Sequence, residues 1–233
     1  MIEFGHGTHI GLRRDHNEDT YQADSSAGLW LVADGMGGHE HGEVASAIAR
    51  DTISAQIANG TDLVEAIREA DRAIMAVSHA RDGNLPMGTT VAALKITANR
   101  YQVAWVGDSR VYLADTDLQQ LSRDHSFVRQ LVDRGAISED EARRHPRRNE
   151  VTQALGITPA ELLQVSFVED EIRPGTQFLV CSDGLTEEVE DAAIRRIVMR
   201  QDLSAQECVD QLIAAALEGG GSDNITALLV RLR

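Results

Sequence analysis

The chain has 233 residues, a formal net charge of −15, 42% hydrophobic and 25% charged residues. That length suffices for one large domain with a substantial core, and no Pro/Ser/Gly-rich linker divides it, so a single domain over 1–233 is expected. The acidic balance excludes a surface built to grip nucleic acid or an anionic membrane, both of which rest on clustered Lys and Arg, and the composition excludes disorder.

Met1-Ile-Glu-Phe-Gly-His-Gly7 lacks the apolar centre of a signal peptide. No apolar run approaches the roughly 20 residues that cross a bilayer, so a cytoplasmic location is expected. Residues 2–12 alternate loosely as a first strand, then a polar turn, Arg13-Arg-Asp-His-Asn-Glu-Asp-Thr20, precedes a weak strand near Tyr21 and the apolar run 29–33. Glu43 to Ala58 reads as a helix with Ala45, Ala49, Ile53 and Ile57 on one face; a second helix follows, capped by Asp62, with Leu63, Ile67, Ala70, Ile74 and Val77 in register. From residue 89 the period becomes that of strands, at 89–97, 101–106 and 111–114, with gaps short enough to predict an antiparallel meander. Residues 126–149 turn helical and charged, with a capping box at Ser138/Glu141 and a stop at Pro146, as suits a surface excursion. Strands at 163–169 and 176–181, helices at 191–200 and 204–218, the latter opened by Ser204/Glu207 and closed by glycines, and a last strand from Ile225 complete the chain. Cys181 and Cys208 each lie in an apolar pattern, where a free thiol behaves as a small core residue. Meanders mixed with helical pairs predict an α+β fold of four layers, α/β/β/α, in which helices flank two mainly antiparallel sheets.

One pattern recurs. Leu29-Trp-Leu-Val-Ala stops at Asp34-Gly35, Val103-Ala-Trp-Val-Gly stops at Asp108, Phe178-Leu-Val-Cys-Ser stops at Asp183-Gly184, and Asp223-Asn224 runs into Ile225-Thr-Ala-Leu-Leu-Val230. A lone Asp-Gly pair usually makes only a turn, but strands that pack together bring their ends together, so these carboxylates are expected to share a site. Like charges gathered there need a cation. An all-oxygen set, with Glu18 and Asp19 nearby in kind, favours magnesium or manganese over zinc or copper. Two such ions would polarise a phosphoryl oxygen and activate water for direct hydrolysis. The Gly35 carbonyl is a further candidate ligand, and Arg14 offers a guanidinium fork to phosphate oxygens.

These residues carry a resemblance. Arg14-x-x-Asn17-Glu18-Asp19, Ala33-Asp-Gly-Met-Gly-Gly-His39 with Gly42-Glu43, Met87-Gly-Thr-Thr90, Val106-Gly-Asp-Ser-Arg110, Cys181-Ser-Asp-Gly-Leu-Thr186 and Gly221-Ser-Asp-Asn224 stand in this order along the whole chain. Together they resemble the PPM, or type 2C, family of metal-dependent serine/threonine protein phosphatases in its compact bacterial form. The resemblance implies a double β-sandwich with metals at one end. Asp34 would bridge two ions, Asp183 and Asp223 would hold the first, Gly35 and, through water, Glu18 and Asp19 the second, and Asp108 would help to bind a third. Arg14 would grip the substrate phosphate, and 122–158 would form the family's variable flap. It further implies manganese or magnesium as cofactor, phosphorylated proteins as substrates, an opposing Ser/Thr kinase, and a monomer. Many eukaryotic members place a His after the Asp-Gly pair as proposed general acid; this chain has Met36, as bacterial members commonly do, and Met36 has no proton to give.

Other signals are weaker. The glycines at 35, 37, 38 and 42 lack the spacing and the Lys of a nucleotide loop, and His39-Glu-His41 lacks the further ligands of a zinc site. A cysteine phosphatase built on Cys181 would need Arg at position 187, where Glu187 stands. A metal-binding module without turnover, or hydrolysis of a small phosphorylated metabolite, are the competing functions; the intact carboxylate set with Arg14 speaks against the first, and phosphopeptides compared with metabolite phosphates would separate the second.

Overall fold

The computed structural model describes residues 2–37, 40–80 and 87–232; Gly38 and His39 of the glycine motif lie outside these. One sheet has the order β1 (Ile2–His9), β11 (Ile225–Leu232), β10 (Gln177–Cys181), β7 (Arg110–Ala114), β8 (Leu118–Gln120). The other runs β2 (Asp19–Asp24), β3 (Leu29–Met36), β5 (Val91–Thr97), β6 (Arg100–Val106), β9 (Ser166–Glu171), with the short β4 (Gly88–Thr89) added to β3. All these pairings are antiparallel.

Side-chain alternation along the strands builds three apolar layers. Trp30 and Val32 of β3, Val103 and Trp105 of β6, Phe178 and Val180 of β10, and Leu228 and Val230 of β11 fill the space between the sheets. Their neighbours Leu29, Leu31 and Ala33 face the other way, beneath α1 (Glu40–Ala58) and α2 (Leu63–Ala80), where Ala45, Ala49, Ile53, Ile67 and Ile74 are buried. On the opposite flank, Leu179, Cys181, Ala227 and Leu229 meet α6 (Asp191–Val198) and α7 (Ala205–Gly219). The four-layer sandwich is the one expected. Capping follows the sequence signals: Asp62 Oδ1 accepts from Glu65 N–H, and capping boxes form at Ser204/Glu207 and at Ser138/Glu141, which opens α4 (Glu139–Arg143).

The meander is corrected at its third strand. β5 and β6 pair, but β7 leaves for the other sheet, where it lies between β10 and β8. The turn Gly107-Asp108-Ser109 makes this possible: Gly107 has φ 102°, a conformation that favours glycine and carries the chain across the seam of the sandwich. The expected strand 89–97 is also interrupted, because Thr89 pairs with Gly35 on β3 whereas β5 starts at Val91. Two elements escaped the periodicity, the short β8 and α5 (Asp183–Thr186), a single helical turn after β10. Residues 122–158 hold α3 (Phe127–Asp133) and α4, and close at their base through a Ser126–Val151 bridge. The Asp71 carboxylate on α2 accepts the Gly156 N–H at 2.8 Å and so ties down the carboxyl end of this segment.

Arg231 is 3% exposed on the helix side of β11. Its guanidinium donates to the carbonyls of Val198, Arg200 and Leu203, to Gln177 Oε1 and to Cys208 Sγ. It therefore caps the carboxyl end of α6 and satisfies the loop that follows. Arg231→Met keeps the bulk but leaves those carbonyls without a donor, so urea unfolding is expected to show a loss of about 3–5 kcal/mol. A loss below about 1 kcal/mol would show that water replaces the guanidinium there.

Candidate metal centre

The strand ends deliver carboxylates to one end of the sandwich. Asp19 opens β2 directly opposite Asp34 on β3. Asp34 shares its strand face with Trp30 and Val32, so it points along the interval between the sheets. Asp108 sits in the turn that crosses from one sheet to the other, Asp183 begins α5 just beyond β10, and Asp223 stands two residues before β11. A cleft of about 600 Å³ opens over them, lined by Arg14, Glu18, Asp34, Gly35, Asp108, Asp183 and Asp223 together with Arg13, Met36 and Asn149. Asp19 lies beneath this floor, 9% exposed. All the residues singled out from the sequence are thus brought to one place.

Their mutual electrostatics are unfavourable. Removal from water, then repulsion from Asp19, Asp183, Asp108 and Asp223, raises the Asp34 carboxyl well above its ordinary range. Asp183 is pushed up to about 6, first by desolvation and then by Asp223, against a hydrogen bond with Asp34. Desolvation lifts Asp19 to about 7 although Thr226 and Ser182 oppose it by donating hydroxyls to its Oδ2 at 2.6 and 2.8 Å. Asp108 is raised by desolvation and by Asp183, and Glu18 by desolvation, which Arg14 opposes. Arg14 is the cation at the rim: its Nη2 donates to Asp223 Oδ2 at 2.5 Å while the side chain stays half exposed.

The site's backbone is fixed from several sides. Asn224 Oδ1 accepts the Glu18 N–H and its Nδ2 donates to the carbonyls of Ile10 and His16, which pins the loop bearing Arg14 to the start of β11. Thr90 N–H and Thr89 Oγ1 both donate to the Asp34 carbonyl at 2.8 Å. Gly35 and Gly42 allow α1 to approach: a Cβ on Gly35 would lie 2.2 Å from the Gly42 carbonyl oxygen and 2.7 Å from that of Glu18. The motif residues Thr90, Ser182 and Asn224 therefore act by holding carboxylates rather than by chemistry of their own.

The donors suit a hard divalent cation. They are all oxygens, and Asp19 Oδ1 and Asp183 Oδ1 are buried without a hydrogen-bond partner, a costly condition that a cation relieves. Among the described residues no three of these groups already stand in a ligating arrangement. Glu187 went unnoticed beside the site: it follows Asp183 by one turn of α5, lines an adjoining cleft that Asp108 and Asp183 also border, and is lifted to about 7 by desolvation and then by Asp183. Only recognition of that short helix would have revealed it. Cys181 is buried and its thiol is pushed up to about 12 by desolvation, so it offers no nucleophile.

Comparison with known proteins agrees with this geometry. The model of the family described as Protein phosphatase 2C matches residues 7–218. The serine/threonine protein phosphatase PstP of Mycobacterium tuberculosis is 37% identical over 94% of this chain, which spans only 43% of that protein's length. The serine/threonine phosphatase stp of Listeria innocua is 35% identical, with 96% of this chain and 93% of the relative covered. Among solved structures, M. tuberculosis PstP/Ppp superposes with a TM-score of 0.89 at 35% identity, covering 100% of this chain and 99% of that one. The catalytic domain of PstP in complex with 2 manganese ions does so with 0.87 at 34% identity, covering 99% and 97%.

The contact of α1 with β3 gives a direct check. Gly35→Ala forces a methyl into the Gly42 carbonyl, so unfolding is expected to show a loss of about 1–3 kcal/mol, and manganese affinity to fall with it. Wild-type stability and affinity in that variant would mean that the close approach is slack.

Proposed function

The chain belongs to the protein phosphatase 2C family, and on that premise we propose that it hydrolyses phosphoserine and phosphothreonine in proteins at a manganese- or magnesium-loaded carboxylate cluster. The observation that carries this reading is the convergence of Asp34, Asp108, Asp183 and Asp223 on one cleft with Arg14 at its rim. In the proposal Asp34, Asp183, Asp223, Asp108, Glu18, Asp19 and the Gly35 carbonyl would hold the ions, with Asp34 at the centre of the set. Such ions, when bound, supply Lewis acidity toward a phosphoryl oxygen and acidify water.

The protein's own groups do the rest. Arg14 has one nitrogen engaged with Asp223, and its fork keeps further donors for a phosphate, which it orients over the cluster. Thr89 and Thr90 keep the Asp34 backbone in place, so the charge that meets the reacting centre is preorganised. Met36 lines the cleft without a proton to donate, so the leaving alkoxide takes its proton from elsewhere. The flap 122–158 overhangs one side of the cleft through Asn149 and Val151 and would meet protein substrates. Phosphorylated proteins as substrates, an opposing Ser/Thr kinase, a monomeric state and a cytoplasmic location belong to the same proposal; among the described residues no helix is long and apolar enough to cross a membrane.

Phosphate release from a phosphothreonine peptide, followed with manganese, magnesium and chelator in parallel, tests the reading. Turnover is expected with either metal and not with chelator, and Asp34→Asn should nearly abolish it in a folded protein; appreciable metal-dependent turnover in that variant would sink the assignment. Arg14→Ala should lower kcat/KM by roughly 10- to 150-fold, the worth of a charge-assisted hydrogen bond, and leave metal affinity nearly intact. Arg13 also lines the cleft but makes no ion pair among the described residues, so Arg13→Ala should cost less. A larger effect at Arg13 would reassign the phosphate to it.

A further inference from the structure

His125 stands half-buried at the start of the flap, and its polar groups reach three separate parts of the chain. Its N–H donates to the Gly107 carbonyl at 2.8 Å and its ring Nδ1 accepts the Gly107 N–H at 3.2 Å. Its carbonyl accepts from Thr152 N–H at 2.7 Å where the flap returns, and its Nε2 lies 2.9 Å from Ser166 Oγ on β9. A ring nitrogen that accepts from a backbone N–H carries no proton, so the ring is neutral with its proton on Nε2, donated to Ser166.

Gly107 is the residue before Asp108. A Cβ on it would meet Thr90 Cγ2 at 2.5 Å, and one residue, His125, satisfies both its N–H and its carbonyl. On the far side of Asp108, Ser109 Oγ is 2.8 Å from Thr90 Oγ1, and Thr90 together with Thr89 holds the Asp34 carbonyl. The turn that carries Asp108 is therefore suspended between the base of the flap and the strand end that bears Asp34.

We propose that His125 is a positioning residue: its double link to Gly107 locks the base of the flap and the Asp108 turn into one register. The inference rests on the phosphatase reading of the cleft. The rival account is that the ring merely fills space beside Trp105, with ring centroids 6.3 Å apart. The two nitrogens separate these accounts because they have different partners. Asn at 125 places an amide oxygen near the Nδ1 position and can still accept from Gly107; Gln reaches toward the Nε2 position and keeps Ser166 instead.

The test compares His125→Asn, His125→Gln and Ser166→Ala, each with manganese, on a small aryl phosphate, which offers no peptide for the flap to grip. Hydrogen exchange at the Gly107 amide is followed in parallel and does not depend on turnover. His125→Asn and Ser166→Ala should keep slow Gly107 exchange and a kcat within about threefold of wild type, whereas His125→Gln should exchange Gly107 at least about tenfold faster and lose kcat about tenfold at nearly constant KM, because small misplacements of catalytic groups are costly. Equal kcat and equal exchange in the Asn and Gln variants would overturn the proposal, as would a kcat loss in Ser166→Ala that matches His125→Gln. If His125→Gln fails to fold, His125→Asn decides: retained kcat with a protected Gly107 amide supports the link, and loss of both overturns it. A wild-type protein that shows the expected Gly107 exchange but no turnover would contradict the phosphatase reading and not the link itself.

Discussion

Carboxylates drawn out of bulk water at one end of a β-sandwich repel one another, and much of the structure can be read as the means of keeping them there. Asp34 feels Asp19, Asp183, Asp108 and Asp223 at once, and two of the carboxylate oxygens in the cluster have no hydrogen-bond donor. Among the described residues Arg14 offsets Asp223 from the rim and Arg110 draws Asp108 and Asp183 down, yet Asp34, Asp108 and Asp183 all stay raised. The apolar layers hold the strand ends rigid, and threonine, serine and asparagine groups pin the backbone on which the carboxylates ride. The free energy stored in this repulsion is what a divalent cation would release.

Why the two sheets stack bears on the same point. Between them lie the largest side chains of β3, β6 and β10, Trp30, Trp105 and Phe178, and the strand ends meet only where that filling stops. Asp34 continues the inward alternation of β3 one step beyond Val32, so it occupies the position at which an apolar residue would otherwise close the core. Gly107 then redirects the chain from one sheet to the other, which sets Asp108 on the seam itself. The site is consequently a property of the sandwich's open end, and residues far apart in sequence meet there without a long loop.

Much of this was legible beforehand. Alternation marks the buried strands, three- and four-residue spacing marks α1 and α2, a capping box and closing glycines mark α7, and an apolar run that ends or begins at Asp locates each carboxylate at a strand end. What stayed hidden has a common cause: partners that only the tertiary fold supplies. Nothing local in 107–114 says that β7 joins the other sheet, since a short gap between strands fits a hairpin equally well. Arg231 interrupts an apolar strand, yet it caps α6 from inside the core. Glu187 reaches the cluster through a helical turn too short to show a period, and the roles of Thr90, Ser182 and Asn224 are hydrogen bonds to residues far away in sequence.

The central claim, that the cluster is an electrostatic liability relieved by a divalent cation, is tested most directly by thermal or urea unfolding of the wild type and Asp34→Asn, each with chelator and with manganese. With chelator the variant should be the more stable protein, by at least about 1 kcal/mol, because it lacks the carboxylate on which the repulsion centres. With manganese the order should reverse, since the wild type gains stability from the ion and the variant gains little. A variant that is less stable than wild type in chelator, or equally stabilised by manganese, would contradict the account.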